Sequence, residues 1–403
     1  MQSPNTHSLS LLKTGQLADS KHIRLSCGLS QFPPELYELT DSLEILDLTG
    51  NALTRLPDDL DRFKKLRILF CSSNNFTHIP EVLGACPSLS MIGFKANQIK
   101  HIPESAIPSQ TLRWFIVTDN ALKQVPQALG DCAQLQKLML AGNQLSQLPD
   151  TMANCQRLEL LRISANQFQS LPDWLFNLAS LTWLAYAGNP FCKQAEQALM
   201  LQKTVPNIAW QDLVLGQVLG QGASGVSYQA TWQHGNGESE QVAVKLFKAG
   251  LTSDGLPSCE MNANILAGEH ANLVGIKGVL RHHPEAVQGI VMPLLSPNLS
   301  ILAQPPSFET CSRDVYSANT EISSAQALHI ATGVARAMQH LHAQGLMHGD
   351  LYAHNILWND QQVILSDLGG ASFLPMHDQV LAQKLIDLDK RAYQVLLDEL
   401  NNL

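Results

Sequence analysis

Four short segments in the second half of the chain carry residues suited to holding phosphate and a divalent cation. Gly220, Gly222 and Gly225 stand in GxGxxG spacing within VLGQGASGVSYQA. Lys245, in QVAVKLFK, supplies a mobile positive charge. HGDLYAHNIL and VILSDLGG add Asp350, Asn355 and Asp367, two carboxylates and an amide. A hard cation such as Mg²⁺ takes oxygen ligands of this kind. The glycine spacing alone is a weak signal, because a dinucleotide-binding turn shares it. That fold needs a helix directly after the glycines, however, and VSYQATW has the composition of a strand.

The elements that must position these residues follow in order. QVAVKLFK reads as the next strand, and helix-prone SCEMNANILAGEHANLVGIKG offers Glu260. GIVMPLL reads as a further strand carrying Met292, and a polar insert follows it (QPPSFETCSRDVYSANTEIS). SAQALHIATGVARAMQHLHAQG has helical periodicity, with Leu328, Ala331, Ala335 and Met338 expected on one side. Taken together and in this order, the segments resemble the protein kinase superfamily.

The resemblance implies an ATP-dependent, Mg²⁺-using phosphotransferase, with Ser/Thr as the broader expectation for the acceptor. It makes Lys245 the holder of the α- and β-phosphates. Glu260 becomes its ion-pair partner, preferred over Glu269 by its spacing to His270 and the Asn-Leu-Val that follows. Asp350 matches the base that deprotonates the acceptor hydroxyl, and Asn355 and Asp367 match the metal ligands. Leu219, Gly220, Gly222, Gly225, Ser227, Ala243, Lys245 and Met292 are the implied nucleotide-contacting positions, with Met292 near the gatekeeper.

The departures from the family pattern are specific. Gly349 replaces the Arg of HRD, Leu368 the Phe of DFG, and Ser227 the Val above the adenine. Tyr352 replaces the Lys that marks Ser/Thr kinases, and His354 the Arg typical of Tyr kinases. Without an Arg at 349, constitutive or partner-driven activity is expected rather than switching by loop phosphorylation. DKRAYQVLLDEL resembles the buried helix that usually follows the activation segment, so Asp389 is expected to hold the catalytic-loop backbone. The resemblance spans about residues 213 to 400. It implies a shortened activation segment and a truncated C-lobe.

The first half is a repeat. LEILDLTGNALTRLP and its successors place Asn51, Asn74, Asn97, Asn120, Asn143, Asn166 and Asn189 always 23 residues apart. That period lies within the range of leucine-rich repeats. One step earlier, HIRLSCGLSQFP puts Gly28 in the Asn position and reads as a degenerate cap. Leu43, Leu46, Leu48 and Leu53 are expected to fill the interior of their unit. Each Asn should bond backbone at the turn, where repetition supplies the same partner every time. Cys86, Cys132 and Cys155 share one repeat phase with Phe63 and Leu178, which marks them as core fillers rather than metal ligands.

Strand positions expected on the concave face, among them Phe70, Met91, Trp114, Ile116, Met139 and Trp183, are apolar and partly aromatic. Two readings stay open: a docking face for a protein partner, or a face covered by the chain's own C-terminal domain.

Composition narrows the remaining classes. A net charge of −9 over 403 residues argues against nucleic-acid binding. No apolar run is long enough for a membrane span, and the N-terminus lacks a secretory pattern, so a cytoplasmic protein is expected. The expected organisation is a cap segment (1–21), repeats (22–195), a connecting segment (196–212) and a kinase-like domain (213–403). In fold class this is a multi-domain α/β and α+β chain, a solenoid followed by a bilobal kinase-like domain. It resembles bacterial-type cytosolic leucine-rich-repeat protein kinases. A nucleotide-binding scaffold without turnover and a small-molecule phosphotransferase are the alternatives.

Overall fold

The computed structural model describes residues 7–235, 237–318 and 320–403, so the start of the expected cap segment lies outside the described residues. The chain divides into two compact units, Met1–Leu181 and Thr182–Leu403.

In the first unit a short helix, α1 (Leu9–Lys13), precedes seven three-residue strands. These are β1 (His22–Arg24), β2 (Ile45–Asp47), β3 (Ile68–Phe70), β4 (Met91–Gly93), β5 (Trp114–Ile116), β6 (Lys137–Met139) and β7 (Leu160–Arg162). Each pairs in parallel and in register with the next, so that residues one repeat apart stand side by side. The middle residue of every strand, such as Leu46, Leu69 or Leu138, is fully buried.

The Asn ladder supplies the polar half of this core. Asn120 donates from Nδ2 to Phe94 O (2.9 Å) and Val117 O (3.1 Å), while its Oδ1 accepts from Ile99 N (2.9 Å). Asn143 and Asn166 repeat the same three bonds one unit further on each time. One amide thus satisfies backbone groups in two adjacent repeats, which a leucine could not do. On the return side Pro80, Pro103, Pro126, Pro149 and Pro172 each hold φ between −61° and −70° and start a 3-10 turn. Cys86, Cys132 and Cys155 close these turns inside the core. Burial pushes the thiols of Cys86 and Cys132 up to about 12 and that of Cys155 to about 11, as suits packing residues.

The concave side differs from the apolar row expected of it. The outward strand residues form two columns, and each contains a buried cation: Lys137 in one, Arg162 in the other. Lys137 Nζ lies 4.9 Å from the Trp114 ring centroid, and Trp114 Nε1 donates to Met139 Sδ at 3.3 Å. Phe70 covers Gly93, where a Cβ would come within 2.6 Å of its ring. Met91 and Met139 are buried, whereas Phe70, Trp114 and Ile116 are half-buried. Phe70 packs sideways on Gly93 and Trp114 on Met139, and among these positions none is fully exposed. Trp183 belongs to the second unit and is fully buried there; it is withdrawn as a docking residue.

The second unit opens with β8 (Trp183–Ala185) and α2 (Pro190–Met200). A six-stranded sheet follows, made of β9 (Asn207–Ala209), β10 (Leu213–Gln221), β11 (Gly225–Gln233), β12 (Ser239–Phe247), β13 (Gly278–Arg281) and β14 (Gly289–Pro293). Its order is β10-β11-β12-β14-β13-β9, with β9 parallel to β13. Apolar side chains form two clusters, one centred on Val242, Val244 and Val291 and the other on Phe247, Ile265 and Ile290. Ile265 comes from α3 (Pro257–Ala267), which stops where Gly268 turns to φ 64°.

The remaining elements surround the catalytic-type motifs. Helix α4 (Ser324–Ala343) begins with a capping box of Ser323 and Gln326. Its buried face is Ile330, Ala331, Val334, Ala337, Met338 and Leu341, which includes the expected Ala331 and Met338, whereas Ala335 is half-buried and Leu328 is 69% exposed. Short strands β15 (Ser300–Ile301), β16 (Leu346–Met347), β17 (Ile356–Trp358), β18 (Val363–Leu365) and β19 (Ser372–Phe373) bracket the HGD and SDL segments. Helix α5 (Gln379–Leu400) buries Leu385, Leu388, Asp389, Ala392 and Leu396 at helical spacing.

Candidate functional site

A cleft of about 500 Å³ opens beside the β10–β12 end of the sheet. It is lined by Leu219, Gly220, Gly222, Gly225, Ser227, Ala243, Lys245 and Met292, together with Glu260 and Asp367. The sheet register explains much of this convergence. Ser227 stands opposite Lys245 on adjacent strands, and Ala243 opposite Met292. Gly220 and Gly222 have nothing within 4 Å of a built Cβ, so the backbone there faces open space. At Gly225 a Cβ would collide with the Leu246 carbonyl oxygen, and glycine is what lets the two strands close.

Lys245 Nζ pairs with Glu260 Oε1, a carboxylate 3% exposed on the first turn of α3. Burial raises the Glu260 pKa; Lys245 opposes the shift and the nearby Asp367 charge adds to it. Glu269, the other acidic candidate, is exposed. Asp367 takes a left-handed backbone (φ 58°), a conformation that costs a non-glycine residue about 1–2 kcal/mol. Its Oδ1 accepts from Gly369 N at 3.0 Å.

Asp350 and Asn355 do not line the cleft; they adjoin it through the segment that follows β18. Asn355 Nδ2 donates to Asp350 O (2.9 Å) and Oδ2 (3.3 Å), while the Asn355 carbonyl accepts from Ser366 N and Oγ, each at 2.8 Å. With its amide nitrogen so engaged, Asn355 has its side-chain oxygen left for a cation. The buried His348 accepts from Asp350 N at Nδ1 (3.3 Å), so Nε2 carries the proton donated to Ser366 O (3.1 Å).

Two buried carboxylates brace this loop. Asp389 accepts from His348 N (2.8 Å), Gly349 N (2.9 Å) and His342 Nε2 (2.9 Å). Burial alone would raise its pKa, but the His342 hydrogen bond and charge, with the Gly349 N–H, hold it below the usual range. Asp314 accepts from His354 Nδ1 (2.7 Å) and His354 N (3.0 Å). For His354, burial works downward and is outweighed by Asp314, with Asp350 and Asp367 adding, so its pKa is raised.

Gly349 has a physical reason to be glycine. Its φ is +68°, and a Cβ would lie 2.5 Å from both Gly370 O and Leu184 O. Sequence reasoning passed over Thr252 and Asp254, which line the cleft from the loop before α3, and Asp314, which sits in the insert read only as polar. No periodicity or motif singles out any of the three.

Among the described residues no three His, Cys, Asp or Glu side chains converge to cage a metal. Asn355 and Asp367 carry hard oxygen donors of the kind that suits Mg²⁺ completing its shell with water and phosphate. Among those residues no helix is long and apolar enough to cross a membrane.

Residues 213–387 match the family model described as protein tyrosine and serine/threonine kinase, and residues 133–191 match leucine rich repeat. A putative serine/threonine-protein kinase of Acanthamoeba polyphaga mimivirus is 24% identical over 208 residues, covering 51% of this chain and 34% of that protein. A cyclin-dependent kinase 4 homolog of Caenorhabditis elegans is 27% identical over 165 residues, covering 38% and 37%. A probable serine/threonine-protein kinase of Arabidopsis thaliana is 27% identical over 161 residues, covering 39% and 14%. The chain thus spans about a third or less of the length of these relatives.

Proposed function

We propose that this chain, which carries leucine-rich repeats followed by a protein-kinase domain, transfers the γ-phosphoryl group of ATP to a serine or threonine hydroxyl of a protein. The observation that carries the reading is the Lys245–Glu260 pair in the same cleft as Asp367, with Asp350 and Asn355 adjoining.

In this reading Glu260 orients Lys245 toward the α- and β-phosphates, and the open backbone at Gly220 and Gly222 leaves room for the phosphate chain. Asn355 Oδ1 and the Asp367 carboxylate would hold Mg²⁺, which would neutralise charge on the phosphates. Asp350 accepts the proton of the acceptor hydroxyl as its oxygen bonds to the γ-phosphorus. The bond from that phosphorus to the β–γ bridging oxygen breaks, leaving a phosphoester and ADP. The Asn355 amide keeps the Asp350 carboxylate in place for this step.

The serine or threonine preference rests on likeness to distant serine/threonine-kinase relatives, and Tyr352 stands against reading it from the loop itself. The repeats would recruit or regulate a protein partner, as the half-buried Phe70, Trp114 and Ile116 leave some apolar surface for contact. Work in the cytoplasm fits eight cysteines that all carry free thiols. The test is incubation of the full chain with Mg-ATP labelled at the γ-phosphate, beside Asp350→Asn. Label on protein serine or threonine that the variant abolishes is the expected result. Nucleotide-induced thermal stabilisation with no transfer to protein would sink it.

A further inference from the structure

We propose that Trp183 is a positioning residue for the catalytic loop, the centre of a closed stack that fixes the backbone directly after Asp350. The proposal rests on the reading of Asp350 as the base. The Trp183 ring stacks on Tyr352 with centroids 4.1 Å apart and planes 10° from parallel. Tyr352 in turn leans on His354 at 5.1 Å. The Arg313 guanidinium carbon lies 5.3 Å from the Trp183 ring centroid, while Asp314 holds His354 by two bonds. One dipeptide, Arg313-Asp314, therefore clasps both ends of a row of three rings. Ring stacking and cation–π contact give such a row defined geometry as well as cohesion.

The row is tied to the loop by directional bonds as well. Trp183 Nε1 donates to Leu351 O at 2.8 Å, one residue past Asp350. On the other side of Asp350, the Leu184 carbonyl fills the space a side chain at 349 would need. Two residues further on, Tyr186 N donates to Ser372 Oγ and Tyr186 Oη to Phe373 O, each at 3.0 Å. β8 and the residue after it thus touch the loop before and after Asp350 and the segment that follows Asp367. With glycine at 349, the loop gains its order here from aromatic packing. Its assembly needs no phosphate on a neighbouring segment.

The experiment uses the full chain with Trp183→Leu and Trp183→Phe, dephosphorylated casein as acceptor, and hydrogen exchange as a readout independent of turnover. For Trp183→Leu we expect amide exchange across residues 350–355 to rise about tenfold or more, with exchange around Lys245 unchanged. kcat should fall about tenfold or more, while KM for ATP stays within about twofold. Trp183→Phe keeps a ring on Tyr352 and should recover most of kcat; it also serves if Trp183→Leu fails to fold. Unchanged exchange at 350–355 in both variants would overturn the proposal, as would parallel losses in kcat and ATP affinity. Raised exchange at 350–355 in a chain whose wild type transfers no phosphate would end the kinase reading and leave the pinning of the loop in place.

Discussion

Replacing Asp389 with alanine isolates what one buried carboxylate does for the catalytic loop. The residue is 0% exposed and accepts hydrogen bonds from His348 N, Gly349 N and His342 Nε2. In Asp389→Ala two backbone N–H groups lose their acceptor inside the protein, at about 1–3 kcal/mol for each buried group left unsatisfied. The sum, about 2–6 kcal/mol, corresponds to a fall in melting temperature of roughly 5–20 °C for a domain of this size. Asp389→Asn keeps the shape and one acceptor oxygen and should cost about half as much. Scanning calorimetry at neutral pH reads both. The pKa of Asp389 is depressed in the fold, so its contribution is present above the unfolded carboxylate value and lost as pH falls through the folded one. The gap between wild type and Asp389→Asn should therefore shrink below about pH 4. An Asp389→Ala protein melting within about 2 °C of wild type would refute the argument that these N–H groups depend on this acceptor.

Asn120→Leu removes two bonds to the preceding repeat, at Ile99 N and Phe94 O, and those to Val117 O and Thr118 O in its own, and should destabilise the first unit by about 2–4 kcal/mol, measured by urea unfolding. Gly349→Arg restores the residue usual in the family, yet the left-handed backbone alone should cost about 1–2 kcal/mol before the collision with two carbonyls is added. We expect a lower melting temperature and less transfer, and enhanced transfer would contradict the packing described. The His354 pKa is raised, so its pairing with Asp314 stabilises fully below the unfolded value and fades as pH rises through the folded one. The stability gap between wild type and His354→Gln should thus be larger at about pH 6 than at about pH 9, by thermal melts in matched buffers.

Much of this was legible in the sequence, for reasons that differ by region. The Asn ladder could be read because each side chain bonds backbone at fixed offsets, so local spacing determines the contact. Lys245, Asp350, Asn355 and Asp367 stand out because their motifs are linear, and the structure brings Lys245 and Asp367 to one cleft and sets Asn355 on Asp350. The concave face could not be read this way. Lys137 and Arg162 are buried there beside aromatic and sulfur neighbours on other strands, and a pattern read along one strand leaves out its lateral partners. On helix α4 Ala331 and Met338 are buried as the period implies, but Leu328 and Ala335 fit that period as well as Val334 does and are not. Arg313 and Asp314 gave no sign at all, since an aperiodic polar insert reads as solvent-facing whether or not it packs.

The compact second unit begins at Thr182, whereas similarity to kinases begins at residue 213. A fragment trimmed to the similarity boundary would lose Trp183 and Tyr186 along with their bonds to Leu351, Ser372 and Phe373. Anyone excising the enzyme half for crystallisation or inhibitor screening should cut upstream of Thr182. Recombination that grafted this half onto another scaffold would have to carry β8 with it.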